Sequence, residues 1–263
     1  MFLGNKVIWI AILLGTLAAG IGSVWLAALL SFGVLARYTQ HMLSLAAGAL
    51  LATAFLHLLP EAFEGGVSAQ HLFVALLMGL VFFFLLDKAE LWHHGHEHHH
   101  EHPTDLHEHN HEPVTGTWAV LTGDSVHCFG DGVLIASAFI ADLRLGAVAS
   151  LAVLAHEVPH HMGDLMVLRS AAGNKHPAII KVSLAGAVTS LGGLLGYWLV
   201  DQLQEYLPYF LVVASSSFVY VALADLIPQL QKRLTARETA VQIAWLLGGI
   251  AMVTMVGSLA HMH

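Results

Sequence analysis

Eight apolar blocks, each about 20 residues or longer, leave this chain few ways to fold. A helix rises about 1.5 Å per residue, so each block is long enough to cross roughly 30 Å of hydrocarbon. The blocks lie at about 7–30, 41–63, 71–92, 117–141, 145–169, 179–200, 208–228 and 239–260. They predict an all-α polytopic membrane protein forming one transmembrane domain over 1–263. Composition agrees: 57% of residues are hydrophobic and 11% charged, where a soluble chain carries about 25% charged. The net charge of −8 and the lack of a basic stripe exclude nucleic acid as a partner. One cysteine, Cys128, excludes an intramolecular disulfide framework. The first block is too long for the core of a signal peptide and leads into another span, so it reads as a membrane helix.

Lys and Arg set the expected orientation. With the N-terminus outside, Arg37, Lys88, Arg169, Lys175, Lys181, Lys232, Arg233 and Arg237 fall on one side and only Lys6 and Arg144 on the other. The positive-inside rule then puts both termini outside the cytoplasm. Glycines in the first span (Gly15, Gly20, Gly22) and the sixth (Gly186, Gly192, Gly193, Gly196) suit close helix packing. Residues 54–61 (AFLHLLPE) and 222–229 (ALADLIPQ) echo one another, in spans of opposite direction. That is the trace an inverted repeat leaves, and it predicts a 3+2+3 arrangement with the fourth and fifth spans between the related halves.

The segment 93–116 reads as a cytoplasmic loop. It holds ten of the chain's 20 histidines: His93, His94, His96, His98, His99, His100, His102, His107, His109 and His111. Such a tract cannot pack a core, and short His-rich tracts bind metal. Its internal position, irregular spacing and interleaved acids argue against a tag, and it reads as a low-specificity metal buffer.

The fourth and fifth spans carry ionisable groups near the bilayer midplane, where a charge costs about 2.5–3.5 kcal/mol and marks function. His127 and Asp131 are four residues apart on one helix face, as are His156 and His160. Two facing helices would set these four around one ion, and imidazole with carboxylate suits zinc and similar divalent metals. Glu157 and Cys128, on adjacent faces, would reach a second ion sharing His160. Gly130, Gly132 and Gly163 loosen the backbone, and Pro159 removes a helix hydrogen bond. A lone buried histidine or aspartate more often satisfies a neighbour, but two metal-spaced pairs at one depth on consecutive helices resist that reading. Asp124, His161 and Asp164 lie on the cytoplasmic side of the central ligands and would form an exit path toward the histidine loop.

His127-x-x-x-Asp131-Gly132, followed by His156-Glu157-x-Pro159-His160-x-x-Gly163-Asp164, resembles the paired signature of the Zrt-/Irt-like (ZIP) divalent-metal transporters. Eight spans, the histidine-rich loop and His57-Leu58-Leu59-Pro60-Glu61 extend the likeness over essentially the whole chain. The resemblance implies uptake of divalent metal, Zn2+ foremost with Fe2+, Mn2+, Cd2+ and Co2+ in the same class, without enzymatic chemistry or a resident cofactor. It implies a two-metal centre between the fourth and fifth helices. It also implies a bundle of spans 1, 4, 5 and 6 moving against spans 2, 3, 7 and 8, in a homodimer at the cell membrane. Cys128 departs from the Asn that many members carry, His161 departs from their Glu, and Thr189 or Ser190 stands where some supply a sixth-span ligand. Two other readings stay open: a metal exporter, and an intramembrane protease, because His156-Glu157-Val158-Pro159-His160 matches the H-E-x-x-H zinc motif. Under the protease reading the His127/Asp131 pair has no task.

Overall fold

A computed structural model describes residues 2–31, 39–95, 115–172, 175–230 and 235–259. Among them the chain is helical throughout, with only short turns and no strand. The helices run α1 (Phe2–Leu17), α2 (Ser23–Ser31), α3 (Thr39–Thr53), α4 (Leu59–Glu64), α5 (Ala69–Gly95), α6 (Thr115–Ala141) and α7 (Leu143–Ala172). They continue as α8 (Lys175–Gln202), α9 (Leu207–Tyr220), α10 (Ile227–Leu230) and α11 (Ala236–Leu259). Histidines 96–111, and Arg37, Lys232 and Arg233 from the orientation argument, lie outside the described residues. His93 and His94 belong to the last turn of the α5 backbone.

Wide π turns join α1 to α2 (Ala18–Gly22), α3 to α4 (Ala54–Leu58) and α9 to α10 (Val221–Leu226). The last two coincide with the echoed segments, and each ends just before a Leu-Pro or Ile-Pro pair. Proline's ring collides with the carbonyl four residues back, and a widened turn relieves that collision without ending the span. Pro159 behaves differently. It sits inside an unbroken α7, so the looser backbone expected around it and around Gly130 and Gly163 is not formed.

Seven helical stretches are long and apolar enough to cross a membrane: Lys6–Leu30, Gln40–Glu64, Ala69–Leu86, Asp124–Ala141, His176–Val200, Gln204–Ala224 and Ala236–Ser258. The expected fifth span, α7, is 30 residues long, about 45 Å at helical rise, but its ionisable residues make it too polar to qualify. It has neighbours on several sides, packing against α2, α3, α6 and α8. The outermost helices show the reverse pattern. Phe73, Leu77, Phe82 and Leu85 of α5, and Leu247 and Met255 of α11, are exposed, as suits a lipid-facing surface.

Contacts sort the helices into two packed groups. The first comprises α1, α2, α6, α7 and α8, and its tightest crossing is α6 on α8. The second comprises α3, α4, α5, α9, α10 and α11, anchored by α3 on α11 and α5 on α9. The α6–α8 crossing is built on glycine. A Cβ added at Gly132 would strike the Thr189 carbonyl, and one at Gly192 would strike that of Phe129. Gly20 meets Gly186 in the same manner, whereas Gly22 has only ordinary contacts. In the second group Gly48 and Gly249 bring α3 and α11 backbone to backbone. Without a hydrophobic drive between helices in lipid, such close van der Waals approach is what holds them together.

Candidate metal centre

A single residue, Asp142, separates α6 from α7, so the two helices form an antiparallel hairpin. Its Oδ1 accepts hydrogen bonds from the backbone N–H of Arg144 (2.8 Å) and Leu145 (3.2 Å), capping the start of α7. Asp124, His127, Cys128 and Asp131 recur on one face of α6, and Glu157, His160, His161 and Asp164 on one face of α7. The hairpin sets these rows against each other in three groups.

In the first group His156 Nε2 lies 3.1 Å from Asp131 Oδ2 and 3.4 Å from Glu157 Oε1. His127 Nε2 lies 3.3 Å from both Glu157 Oε1 and His156 Nε2, and 3.9 Å from Asp131 Oδ2. Four ligands held tetrahedrally at about 2.0–2.2 Å stand roughly 3.3–3.6 Å from one another, so these separations match a zinc shell. The second group is formed by Asp124, Cys128, Glu157 and His161, all buried. Here His161 Nε2 is 3.1 Å from Glu157 Oε2, 3.6 Å from Asp124 Oδ1 and 4.0 Å from Cys128 Sγ. Cys128 Sγ is 3.6 Å from Asp124 Oδ1. Asp124, His160 and Asp164 make the third group.

Two features distinguish these groups from ordinary ion pairing. First, buried oxygens converge without accepting hydrogen bonds: Asp131 Oδ2 and both oxygens of Glu157 have no such partner. Leaving a buried polar group unpaired costs about 2–7 kcal/mol, and a divalent cation at the point of convergence removes that cost. Second, the far ring nitrogens are held. His156 Nδ1 is 3.2 Å from the Ala152 carbonyl, which can only accept, so Nδ1 carries the proton and the Nε2 lone pair faces the group. His161 Nδ1 is 2.9 Å from Ser23 Oγ, whose own proton goes to the Gly20 carbonyl at 2.5 Å. Ser23 therefore accepts from Nδ1, and His161 likewise presents Nε2. Such outer partners orient metal-binding histidines and raise their basicity.

The grouping differs from the spacing argument at one position. His127, Asp131 and His156 come together as expected, but the fourth atom is Glu157 Oε1 in place of His160. His160 is near the His127 ring, at 5.5 Å between centroids, yet its Nδ1 pairs with Asp124 and Asp164 at 3.5 Å each. Glu157, not His160, is thus common to two groups. Cys128 does join Glu157, together with Asp124 and His161 from the expected exit path, and Asp164 sits with His160. The reason is rotational: His160 lies about 100° per residue away from His161, and α7 turns the Glu157–His161 edge toward α6. His156 falls in the first group and His160 in the third, so the two histidines of H-E-x-x-H do not share one group. Ser23 was not singled out from sequence, and its signal is a hydroxyl close to Gly20 and Gly22 in a span whose other hydroxyl is Thr16. The side chains at 93 and 94 and the remaining loop histidines lie outside the described residues.

The sequence matches the family model described as ZIP Zinc transporter over residues 6–117 and 90–257. Zinc transporter ZIP13 of Pongo abelii is 29% identical over 94% of this chain and 78% of its own length. Human zinc transporter ZIP4 is 30% identical over 76% of this chain and 40% of its own. Human zinc transporter ZIP10 is 35% identical over 55% of this chain but only 18% of itself. The chain thus spans most of the first relative and less than half of the other two.

Proposed function

This chain belongs to the ZIP zinc transporter family and is an integral multi-pass membrane protein, and from that membership we propose that it carries divalent metal ions, Zn2+ foremost, into the cytoplasm. The observation that carries the reading is Glu157, whose Oε1 joins His127 and His156 while Oε2 joins His161. One carboxylate facing two ligand groups is the arrangement of a two-metal centre. His127, Asp131, His156 and Glu157 hold one ion, and Asp124, Cys128, Glu157 and His161 the other. A transporter must release what it binds, and a ligand shared between neighbouring positions lets an ion pass without leaving a carboxylate behind.

In this reading the helices form eight spans in a 3+2+3 order with inverted repeats and both termini extracytoplasmic. The paired π turns at the echoed segments support it. Alternating access moves α1, α2, α6, α7 and α8 as one body against α3, α4, α5, α9, α10 and α11, within a homodimer in the cell membrane. The glycine contacts that fasten α6 to α8 support α6 and α8 moving together. The path continues through His161, Asp124 and Asp164 toward the cytoplasmic histidine loop, which buffers the delivered ion.

Radiometal uptake into proteoliposomes tests this. The intact protein should accumulate 65Zn2+, with Fe2+, Mn2+, Cd2+ and Co2+ competing in measurable order, and His156→Ala should abolish accumulation. Equal uptake by both proteins overturns the assignment. In cells deprived of their own zinc uptake, rescue at low zinc supports import, whereas protection only against excess zinc assigns export.

A further inference from the structure

We propose that Asp124, His160 and Asp164 form a third, separate metal position, where the cargo ion leaves the buried centre and regains water. The proposal rests on the two-metal reading above and adds a station to it. His160 Nδ1 lies 3.5 Å from Asp124 Oδ1 and 3.5 Å from Asp164 Oδ2. These are the separations of a zinc-type shell, roughly 3.3–3.6 Å for bonds of about 2.0–2.2 Å. His160 Nδ1 and Asp164 Oδ2 are buried atoms without a hydrogen-bond partner, and Asp124 Oδ1, which faces His160, accepts from the Cys128 thiol at 3.6 Å. The Asp124 side chain is 1% exposed and its second oxygen, Oδ2, is unpaired, and a cation held by Oδ1 would offset the charge of that buried carboxylate.

The position differs from its neighbours in openness. The second group is wholly buried, while the His160 and Asp164 side chains are 38% and 13% exposed. Beside them Gly163 leaves open space, since a Cβ added there would touch nothing within 4 Å. Three protein ligands with room for water make a weaker, faster-exchanging site than four buried ones, as metal sites with open coordination positions show. Asp124 Oδ1 lies within 3.6 Å of His161 Nε2 as well as 3.5 Å from His160 Nδ1. Asp124 therefore links the second position to the third as Glu157 links the first to the second. From His156 to Asp164 the ladder descends about 12 Å at helical rise, in steps that each keep one carboxylate on the ion.

Cadmium binding to the full chain in lipid nanodiscs tests the proposal, with the ten histidines between His93 and His111 replaced by serine so that the loop does not add to the count. Equilibrium dialysis should give three ions per chain, and the ultraviolet cadmium–thiolate band of Cys128 reports the second position. Asp164→Asn, which keeps the shape of the side chain, should bind one ion fewer with the thiolate band unchanged, and Asp164→Glu should restore the count. An unchanged count in Asp164→Asn, or a parent protein that saturates at two ions, overturns the third position. Should Asp164→Asn lose the band as well, His160→Gln is counted in the same way, and loss of the band there too overturns the claim of a separate site. A protein that binds three ions but shows no flux in proteoliposomes would defeat the transport reading and leave the third position standing.

Discussion

The helix α6 has two seams of opposite construction. Against α7 it presents Asp124, His127, Cys128 and Asp131, whose partners converge at 3.1–4.0 Å yet leave buried oxygens without hydrogen bonds. Against α8 it presents Gly132 and the backbone at Phe129, so closely met by Thr189 and Gly192 that no methyl group fits. The first seam leaves buried oxygens that a cation would satisfy, while the second closes through protein contacts alone. The carrier proposed above would use both: a pocket stabilised by its cargo, and a rigid joint that lets the pocket travel without being pulled apart. Membrane burial sharpens the contrast, since unpaired charge is expensive there and apolar contact between helices gains little over contact with lipid.

The most severe test of this contrast strikes the ligand shared by two groups. Glu157→Ala removes an oxygen from both, and zinc uptake should fall by at least about 100-fold, beyond the 10–100-fold typical of losing a mere outer partner. Because the change relieves unpaired buried oxygens, the metal-free variant should melt no lower than the parent in detergent. If Glu157→Ala unfolds the protein instead, the first seam is structural and the contrast breaks. Gly192→Val tests the other seam. Its side chain meets the Phe129 carbonyl, and overpacking of this kind costs about 1–3 kcal/mol or more. Thermal denaturation should show a lower melting point in the absence of metal as well as in its presence. An unchanged melting point would mean that α6 and α8 are not locked.

Much of this is legible in the amino-acid sequence. The apolar blocks foretold an all-helical chain, seven stretches of which are long and apolar enough to cross a membrane, and the i, i+4 spacing of His127 with Asp131 placed them together on one face. Spacing could not say which edge of α7 meets α6. Glu157, His160 and His161 lie within five residues, about 100° apart per step, and the rotation of α7 is fixed by α2, α3 and α8 packed around it. Hence Glu157 took the shared place that spacing alone had given to His160. The apolarity that marks seven candidate spans does not mark α7, because its ionisable groups lower its mean hydropathy. The echo at 54–61 and 222–229 was legible as letters, but the π turns were not, since proline marks a disturbed helix without specifying how the preceding turn adapts.

Cys128→Ala separates the two positions within the polar seam. Its thiol belongs to the second group only, so the first group keeps all four ligands. One bound ion per chain should weaken by roughly tenfold or more, in line with losing one zinc-favouring soft ligand. Uptake should persist at reduced rate, and the cadmium–thiolate band should vanish. Full loss of uptake would mean that the two positions act as one.

Ser23→Ala is the mildest change and probes how the seam is held ready. Ser23 touches no ion in this arrangement; it accepts from His161 Nδ1 at 2.9 Å while donating to Gly20 at 2.5 Å. Removing the hydroxyl frees the His161 ring to exchange tautomers, so that part of the time Nε2 carries the proton and cannot bind metal. Outer-partner losses of this type weaken metal binding by about 10–100-fold; the remaining ligands Asp124, Cys128 and Glu157 should keep this one near the lower end. Thr16→Ala is the matched control, because Thr16 is buried in the same span but donates only to its own helix, to the Ile12 carbonyl at 2.7 Å. Zinc-dependent uptake by Ser23→Ala should shift to higher zinc with its maximal rate kept, and Thr16→Ala should show no shift. If both variants shift alike, the hydroxyls merely tune packing of the first span. If Ser23→Ala alone shifts, the π turn at Ala18–Gly22, which delivers Ser23 to His161, is part of the metal centre itself.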